Sequence, residues 1–362
     1  MSLKRSREGP QKPGFREQDF ERQDLTTLLD KRKILAAIAC DGRELGVKPE
    51  MATIKNKQDH HTITSLSSTS TQLWKMLRTG QATPGSAVIA QQQAAGRGQR
   101  GRSWQSSAGG LYLSLALEPN WSITHSAQLT CLSAWGITTA LNNLGIAANI
   151  KWPNDILYKG KKIGGILTET KISKTHISKK HISKTVNSET AVSQITATSD
   201  KQTQSDYPEA TITQAVIGVG INWHNPVPQT GTNLLTIFRE DKSLEVVKNK
   251  INCLEVLIAL VLRGILQGVI FQQRVGSQVF MKAYQKLLTQ VGQPVSLDSS
   301  GKLSLASPTC HPPTDDSRWA NRSGEVIGVS EEGYLEVALH HSYYPASKYS
   351  DKYCSEKYSE RH

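Results

Sequence analysis

The sequence predicts an α+β protein: a β-sheet with helices packed on it, followed by a small barrel-like β module. Three observations predict it. Period-two apolar alternation marks strands at 111–117 and 215–223, and a further strand is read at 87–92. Helical periodicity marks 126–144, 244–268 and 273–290. From Val291 to Leu339, the short β-patterned pieces PVSL, KLSLA, GEVIGV and GYLEVAL are separated by turns.

At 362 residues the chain has length for one large domain and a smaller one. A hydrophobic content of 37% and a mean hydropathy of −0.40 are low for a compact enzyme and imply polar segments outside the core. The formal net charge of +12 favours acidic partners such as nucleotides, nucleic acid or an acidic carrier protein, without choosing among them. Cys40, Cys131, Cys253, Cys310 and Cys354 are odd in number, scattered and without a CxxC pair, which fits a reduced compartment. No apolar run reads as long enough to cross a bilayer and no signal sequence follows Met1, so a cytoplasmic protein without membrane contact is expected.

In chain order, the first elements are a helix over 20–40 and a hydroxyl-rich N-cap, Ser67-Ser68-Thr69-Ser70-Thr71. The latter precedes Leu73, Trp74 and Leu77 and stops at Gly80. Capping accounts for one of these hydroxyls, leaving the others available to a ligand. One helix before Ser65 is too few for a helix-turn-helix, so specific DNA binding is not expected.

The strand at 87–92 delivers Gln93 to QAAGRGQRGRSW, in which Gly96, Gly98 and Gly101 alternate with Arg97, Arg100 and Arg102. Glycines let backbone N–H groups curl towards oxygen atoms, and guanidinium forks bind carboxylate or phosphate through two hydrogen bonds. A solvated basic loop or an arginine–glycine nucleic-acid contact is the alternative. Against it, Trp104 and Gly109-Gly110 run directly into the strand at 111–117, which anchors the loop on a sheet.

A helix over 126–144 stops at Gly145. A strand at 149–152 ends at Pro153, and 156–158 pairs with 162–169 across Lys159-Gly160-Lys161, placing Asp155 and Lys162 on one narrow strip. Residues 171–213 repeat ISK at Ile172, Ile177 and Ile182 and are otherwise Ser, Thr, Gln, Lys and Asp. Such composition cannot offset a backbone ordering cost of roughly 1–2 kcal/mol per residue, so a disordered insertion between two strands is expected. His176 and His181 within it have no metal-ligand spacing. In AVIGVGINW, Ile217, Val219 and Ile221 alternate with Gly218, Gly220 and Asn222, leaving a bare sheet face on which a ligand can lie.

Taken in order, SSTST, QAAGRGQRGRSW, GGLYLSLAL, KWPNDILYKGKKIGGIL and VIGVGIN resemble the biotin–protein ligases, of the type without a DNA-binding domain, over about residues 65 to 340. The resemblance implies a mixed β-sheet with helices on one side plus a small C-terminal β-barrel. The implied layout is an extension at 1–62, a catalytic domain at 63–288 interrupted by the insertion, the barrel at 289–340 and a disordered tail at 341–362. It implies ATP-dependent ligation of biotin, through biotinyl-AMP and with Mg²⁺, to a lysine of a biotin carboxyl carrier protein such as that of acetyl-CoA carboxylase.

By position, Ser68, Thr69, Ser70, Gln93, Arg97, Gly98, Gln99, Lys162, Gly164 and Gly165 match the biotin site. Arg97, Arg102, Lys162 and Asp155 match catalytic positions, and Arg100, Arg102, Trp104, Lys151, Asn154 and Asn222 match nucleotide contacts. No protein-only metal site is expected. Two departures stand out: Ser70 where an asparagine is common, and Gln99 where some relatives carry arginine. A lipoate or octanoate transferase on the same fold and a biotin-responsive repressor are the alternatives, and the oligomeric state stays open between monomer and dimer.

Overall fold

The computed structural model describes residues 31–39, 50–53, 66–174, 210–297, 303–305 and 322–339. Its large sheet comprises β1 (Glu50–Thr53), β2 (Ser86–Ala90), β3 (Leu111–Leu117), β4 (Trp121–Ser122), β5 (Ala148–Lys151), β6 (Asp155–Tyr158), β7 (Lys161–Lys174) and β8 (Ala210–Ile221). The order is β1-β2-β3-β8-β7-β6-β5, with β4 attached to β8. The β1–β2 pair is parallel and the other pairs are antiparallel, so the sheet is mixed. Sequence reading misses β1 because EMAT is too short to show an alternation.

Leu113, Leu115, Ile217, Val219 and Ile221 form one face of the central strands and are buried in the main core. Against that core lie α3 (Ser126–Asn143) and α6 (Leu254–Gln285). On the opposite face, α2 (Thr69–Arg78) seats Leu73 on Val88, Ala116 and Val216. The long helices therefore share one side as expected, while the short helix covers part of the other and bounds the candidate site. The α2 helix ends where Gly80, at φ +70°, donates to Leu77 O and Gln81 donates to Met76 O, satisfying carbonyls that the last turn would leave orphaned.

The helical boundaries after β8 differ from expectation. Residues 234–250 form two short helices, α4 (Leu234–Glu240) and α5 (Glu245–Lys250), and α6 continues past Gly268 to a break at Gly276, φ +77°. Gly268 is thus a contact point rather than a stop: a Cβ there would collide with Leu132 O, and one on Gly264 would lie 2.9 Å from Ile137 backbone atoms. Small residues let α3 and α6 approach at backbone distance.

The α6 helix is also long and apolar enough to cross a membrane by length and composition, contrary to the sequence reading. About 56% of its most apolar stretch is buried in the fold, with Trp135 of α3 stacked on Phe271 at 4.5 Å, which is the setting of a core helix. The predicted helix over 20–40 is described as α1 (Lys31–Ala39), with Ile34 fully buried and Arg263 Nη2 donating to Ala37 O at 2.6 Å. The rest of that helix, the insertion between 175 and 209 and the tail after 339 lie outside the described residues.

Strands β7 and β8 outrun the expected insertion boundary and remain paired out to Lys174↔Ala210. All four C-terminal β pieces form strands: β9 (Pro294–Leu297), β10 (Leu303–Leu305), β11 (Arg322–Val329) and β12 (Leu335–Leu339). Their antiparallel order, β10-β9-β11-β12, describes a four-stranded sheet, and no β10–β12 pairing closes it into a barrel among the described residues. This part of the chain, together with the end of α6, grips the turn between β5 and β6: Trp152 N donates to Gln290 Oε1, Trp152 Nε1 to Gly333 O at 3.1 Å, and Tyr284 Oη of α6 to Pro153 O at 3.0 Å.

Candidate active site

A cavity of about 130 Å³ lies on the sheet face turned away from α3 and α6. Its walls come from the first turn of α2, the glycine–arginine loop, the β5–β6 turn, and the glycine-bearing stretches of β7 and β8. Loop geometry follows from local bonds. Ala94 N and Ala95 N donate to Leu66 O and Ser67 O, Trp104 N donates to Gly96 O, and Gly98 N donates to Arg102 O at 2.7 Å. Arg100 and Gly101 take φ values of 57° and 70° to turn the tip. The Gly96 position must be bare, because a Cβ there would lie 2.5 Å from Trp104 O.

One end of the cavity is neutral and rich in hydrogen-bonding groups. Gln93 Oε1 accepts from Thr69 N at 2.8 Å and Thr69 Oγ1 at 3.2 Å, so a side chain 24 residues away caps α2. Ser68, the N-cap by position, makes no side-chain cap bond and lines the cavity instead. Ser114 Oγ donates to Thr69 Oγ1 at 2.9 Å and lies 3.0 Å from Ser70 Oγ, while Gln93 Nε2 donates to Ser106 Oγ at 2.8 Å. These hydroxyls are buried and share one connected network, which fixes their directions.

The same cavity also carries cationic side chains, two of them paired with carboxylates. In β6–β7, Asp155 pairs with Gly165 and Leu157 with Lys162, and Ile163 is the extra residue of a β-bulge. The two-residue turn is Lys159-Gly160, both at positive φ, rather than the expected three-residue connection. The bulge returns Lys162 to the face of Gly165 and Asp155. Lys162 Nζ lies 2.6 Å from Asp155 Oδ1 and 4.9 Å from the centre of the Trp104 ring. Arg97 Nη2 is bound to Glu169 Oε2 at 2.7 Å, and Arg102 Nε donates to Gln99 O at 3.3 Å.

The bare face expected along β8 is covered in part by protein. A Cβ on Gly220 would lie 2.5 Å from the Trp104 indole, and one on Gly218 would lie 2.8 Å from Ser70 Oγ. Trp104 therefore braces the strand, and its buried Nε1 has no hydrogen-bond partner.

Of the residues singled out in the sequence, Ser68, Thr69, Ser70, Gln93, Arg97, Gly98, Gln99, Arg102, Trp104, Asn154, Asp155, Lys162 and Gly165 line this cavity. Gly164 faces Ile221 and Gly220 O, and Arg100 and Lys151 are exposed outside the lining. Asn222 is turned inward, donating to Thr232 O at 3.2 Å and accepting from Asn225 at 3.2 Å. Sequence reading misses Ser106, Ser114 and Glu169. The signal for Ser114 is the one serine among the apolar and aromatic residues of LYLSLAL; for Glu169 there is none.

A second, more open groove of about 770 Å³ adjoins the first, shares Gln93, Ser103 and Trp104 with it, and is lined by Gln105, Ser107, Pro226 and Pro228. Beside it His224 packs on Gly109, and burial lowers its pKa below the ordinary imidazole value.

Residues 62–183 match the Biotin/lipoate A/B protein ligase family. The chain is 44% identical over 95 residues to the bifunctional ligase/repressor BirA of Bacillus subtilis, covering 26% of this chain and 29% of that protein. It is 44% identical over 86 residues to the biotin–[acetyl-CoA-carboxylase] ligase of Paracoccus denitrificans, covering 23% and 36%. The chain thus spans about a third of the length of these curated relatives. Among solved structures, the Aquifex aeolicus biotin protein ligase in complex with biotin and ATP aligns over 80% of this chain and 91% of its own, at 21% identity and a TM-score of 0.49.

Proposed function

From a chain whose residues 62–183 match the Biotin/lipoate A/B protein ligase family, we propose a biotin–protein ligase that activates biotin with ATP and transfers it to a carrier-protein lysine. The observation that carries this reading is the polarity of one cavity. The buried Thr69–Gln93–Ser114–Ser70 network is neutral and offers both donors and acceptors, as an uncharged ureido ring requires. Arg97, Arg102 and Lys162 line the same cavity and supply positive charge for a carboxylate that must approach a phosphate.

In the first step the biotin carboxylate oxygen attacks the α-phosphorus of ATP, forming a mixed anhydride and releasing pyrophosphate. In the second the lysine amine attacks the acyl carbon, forming the amide, and AMP leaves with the anhydride electrons. Two anions repel during the first step, and fixed cations lower the barrier if they are aimed where charge accumulates. Lys162 and Arg97 are held for that purpose by Asp155 and Glu169. Both carboxylates are within reach of the chemistry without adding net negative charge.

No cluster of three His, Cys, Asp or Glu able to hold a metal occurs among the described residues. Mg²⁺ would enter as an ion carried by the nucleotide phosphates, and Asp155, which lines the cavity, is the side chain that would meet it. The carrier is the biotin-accepting domain of a carboxylase, and the compartment is the cytoplasm. The catalytic domain is 63–288 and the C-terminal module 289–340.

The test is biotin-dependent pyrophosphate release by the full chain with Mg²⁺ and ATP, followed by biotin incorporation into a carrier domain. Absence of both in the wild type overturns the reading. A lipoate or octanoate ligase needs an apolar tunnel instead of the Thr69–Gln93 network, so a larger thermal shift with lipoate than with biotin reassigns the substrate.

A further inference from the structure

We propose that Glu169 is a positioning residue that holds the glycine–arginine loop closed over the cavity through Arg97. For the ligand the inference rests on the ligase reading; for the loop it does not. Glu169 lies on β7 in step with Gly165 and Leu167, which line the cavity, and so belongs to the same sheet face two residues further along each time. Arg97 reaches it across 72 residues of sequence at 2.7 Å.

Within the tip, Gly98 N donates to Arg102 O and Arg102 N to Gln99 O. Such bonds set the shape of the tip but not its position. The Arg97–Glu169 pair ties that shape to the sheet. A carboxylate beside a site for anions would repel them if it stood alone, and pairing with Arg97 cancels the repulsion while fixing the guanidinium at the mouth.

Both side chains are partly exposed, 43% for Arg97 and 26% for Glu169, so the tie is weak enough to open and close. A contact of this kind is expected to shift the closed population by roughly two- to five-fold.

The experiment compares the full-length wild type with Glu169→Ala and Glu169→Gln. Trypsin is added without biotin or nucleotide, and cleavage after Arg100 and Arg102 is followed by mass spectrometry. Cleavage roughly two- to five-fold faster in Glu169→Ala, with Glu169→Gln between because its amide oxygen still accepts from Arg97, supports the anchor. In the ligation assay, labelling of added albumin relative to the carrier domain rises in the same order as activated biotin escapes. Unchanged cleavage and escape in Glu169→Ala, or a Glu169→Gln variant no better than Ala, overturns the proposal. A wild type without biotin-dependent pyrophosphate release removes the ligase reading alone, and the cleavage result still decides whether Glu169 anchors the loop.

Discussion

Lys162 meets Asp155 at 2.6 Å because Ile163 is an extra residue in its strand. Three positions separate Lys162 from Gly165, and by the period of two they would face opposite sides of a regular sheet. The bulge absorbs Ile163 into the core, where it is fully buried, and brings the lysine onto the cavity side.

Replacing Lys162 or Arg97 by alanine is expected to lower biotin-dependent pyrophosphate release by about 10²–10³-fold, the usual effect of removing one fixed donor from a transition state. The stability change should stay within about 1 kcal/mol, because both ion pairs are partly exposed. Single-turnover kinetics together with urea unfolding separates the two effects. A large loss of stability with a small loss of rate would contradict the assignment.

Gln93→Ala removes the cap of α2 and opens the hydroxyl network at once. A stability loss of about 1–2 kcal/mol is expected in urea unfolding, from the orphaned Thr69 N–H and its neighbours. The thermal shift produced by biotin should also shrink, which distinguishes this site from an ordinary helix cap.

Gly220→Ala places a methyl 2.5 Å from the Trp104 indole and forces the ring to move, with an expected loss of about 1–3 kcal/mol and a change in tryptophan fluorescence. Gly218→Ala meets the smaller Ser70 hydroxyl at 2.8 Å and should cost less. Equal losses for the two variants would show that Trp104 is not the fixed brace.

Burial lowers the His224 pKa, so the folded protein binds this proton less readily than the unfolded chain does. The unfolded state then takes up more protons as pH falls through about 6.5, and stability should drop from there towards the lower folded value. Thermal unfolding between pH 7.5 and 5.5 measures it. His224→Gln should flatten that part of the curve, and an unaltered slope would remove His224 as its source.

The strand pattern, the glycine–arginine loop and the hydroxyl series before α2 are legible because their signals are local: alternation, small residues, short polar side chains in a row. The bulge at Ile163 is not legible, since nothing in KKIGGIL distinguishes an absorbed residue from a regular one. Glu169 reads as an ordinary strand residue until folding brings Arg97 to it. Gly268 carries the mark of a helix stop, yet its meaning comes from Leu132 on another helix. Trp104, matched by position to a nucleotide contact, lines the cavity with a half-buried ring that fills the space above Gly220.

The grip of Gln290 and Gly333 on Trp152 means that the C-terminal strands and the Asn154–Asp155 corner are mechanically in series. A displacement of the small sheet is thereby passed to the carboxylate facing Lys162. A chain cut before residue 290 would therefore give up, along with a peripheral module, the Gln290 and Gly333 contacts that stiffen one wall of the candidate site.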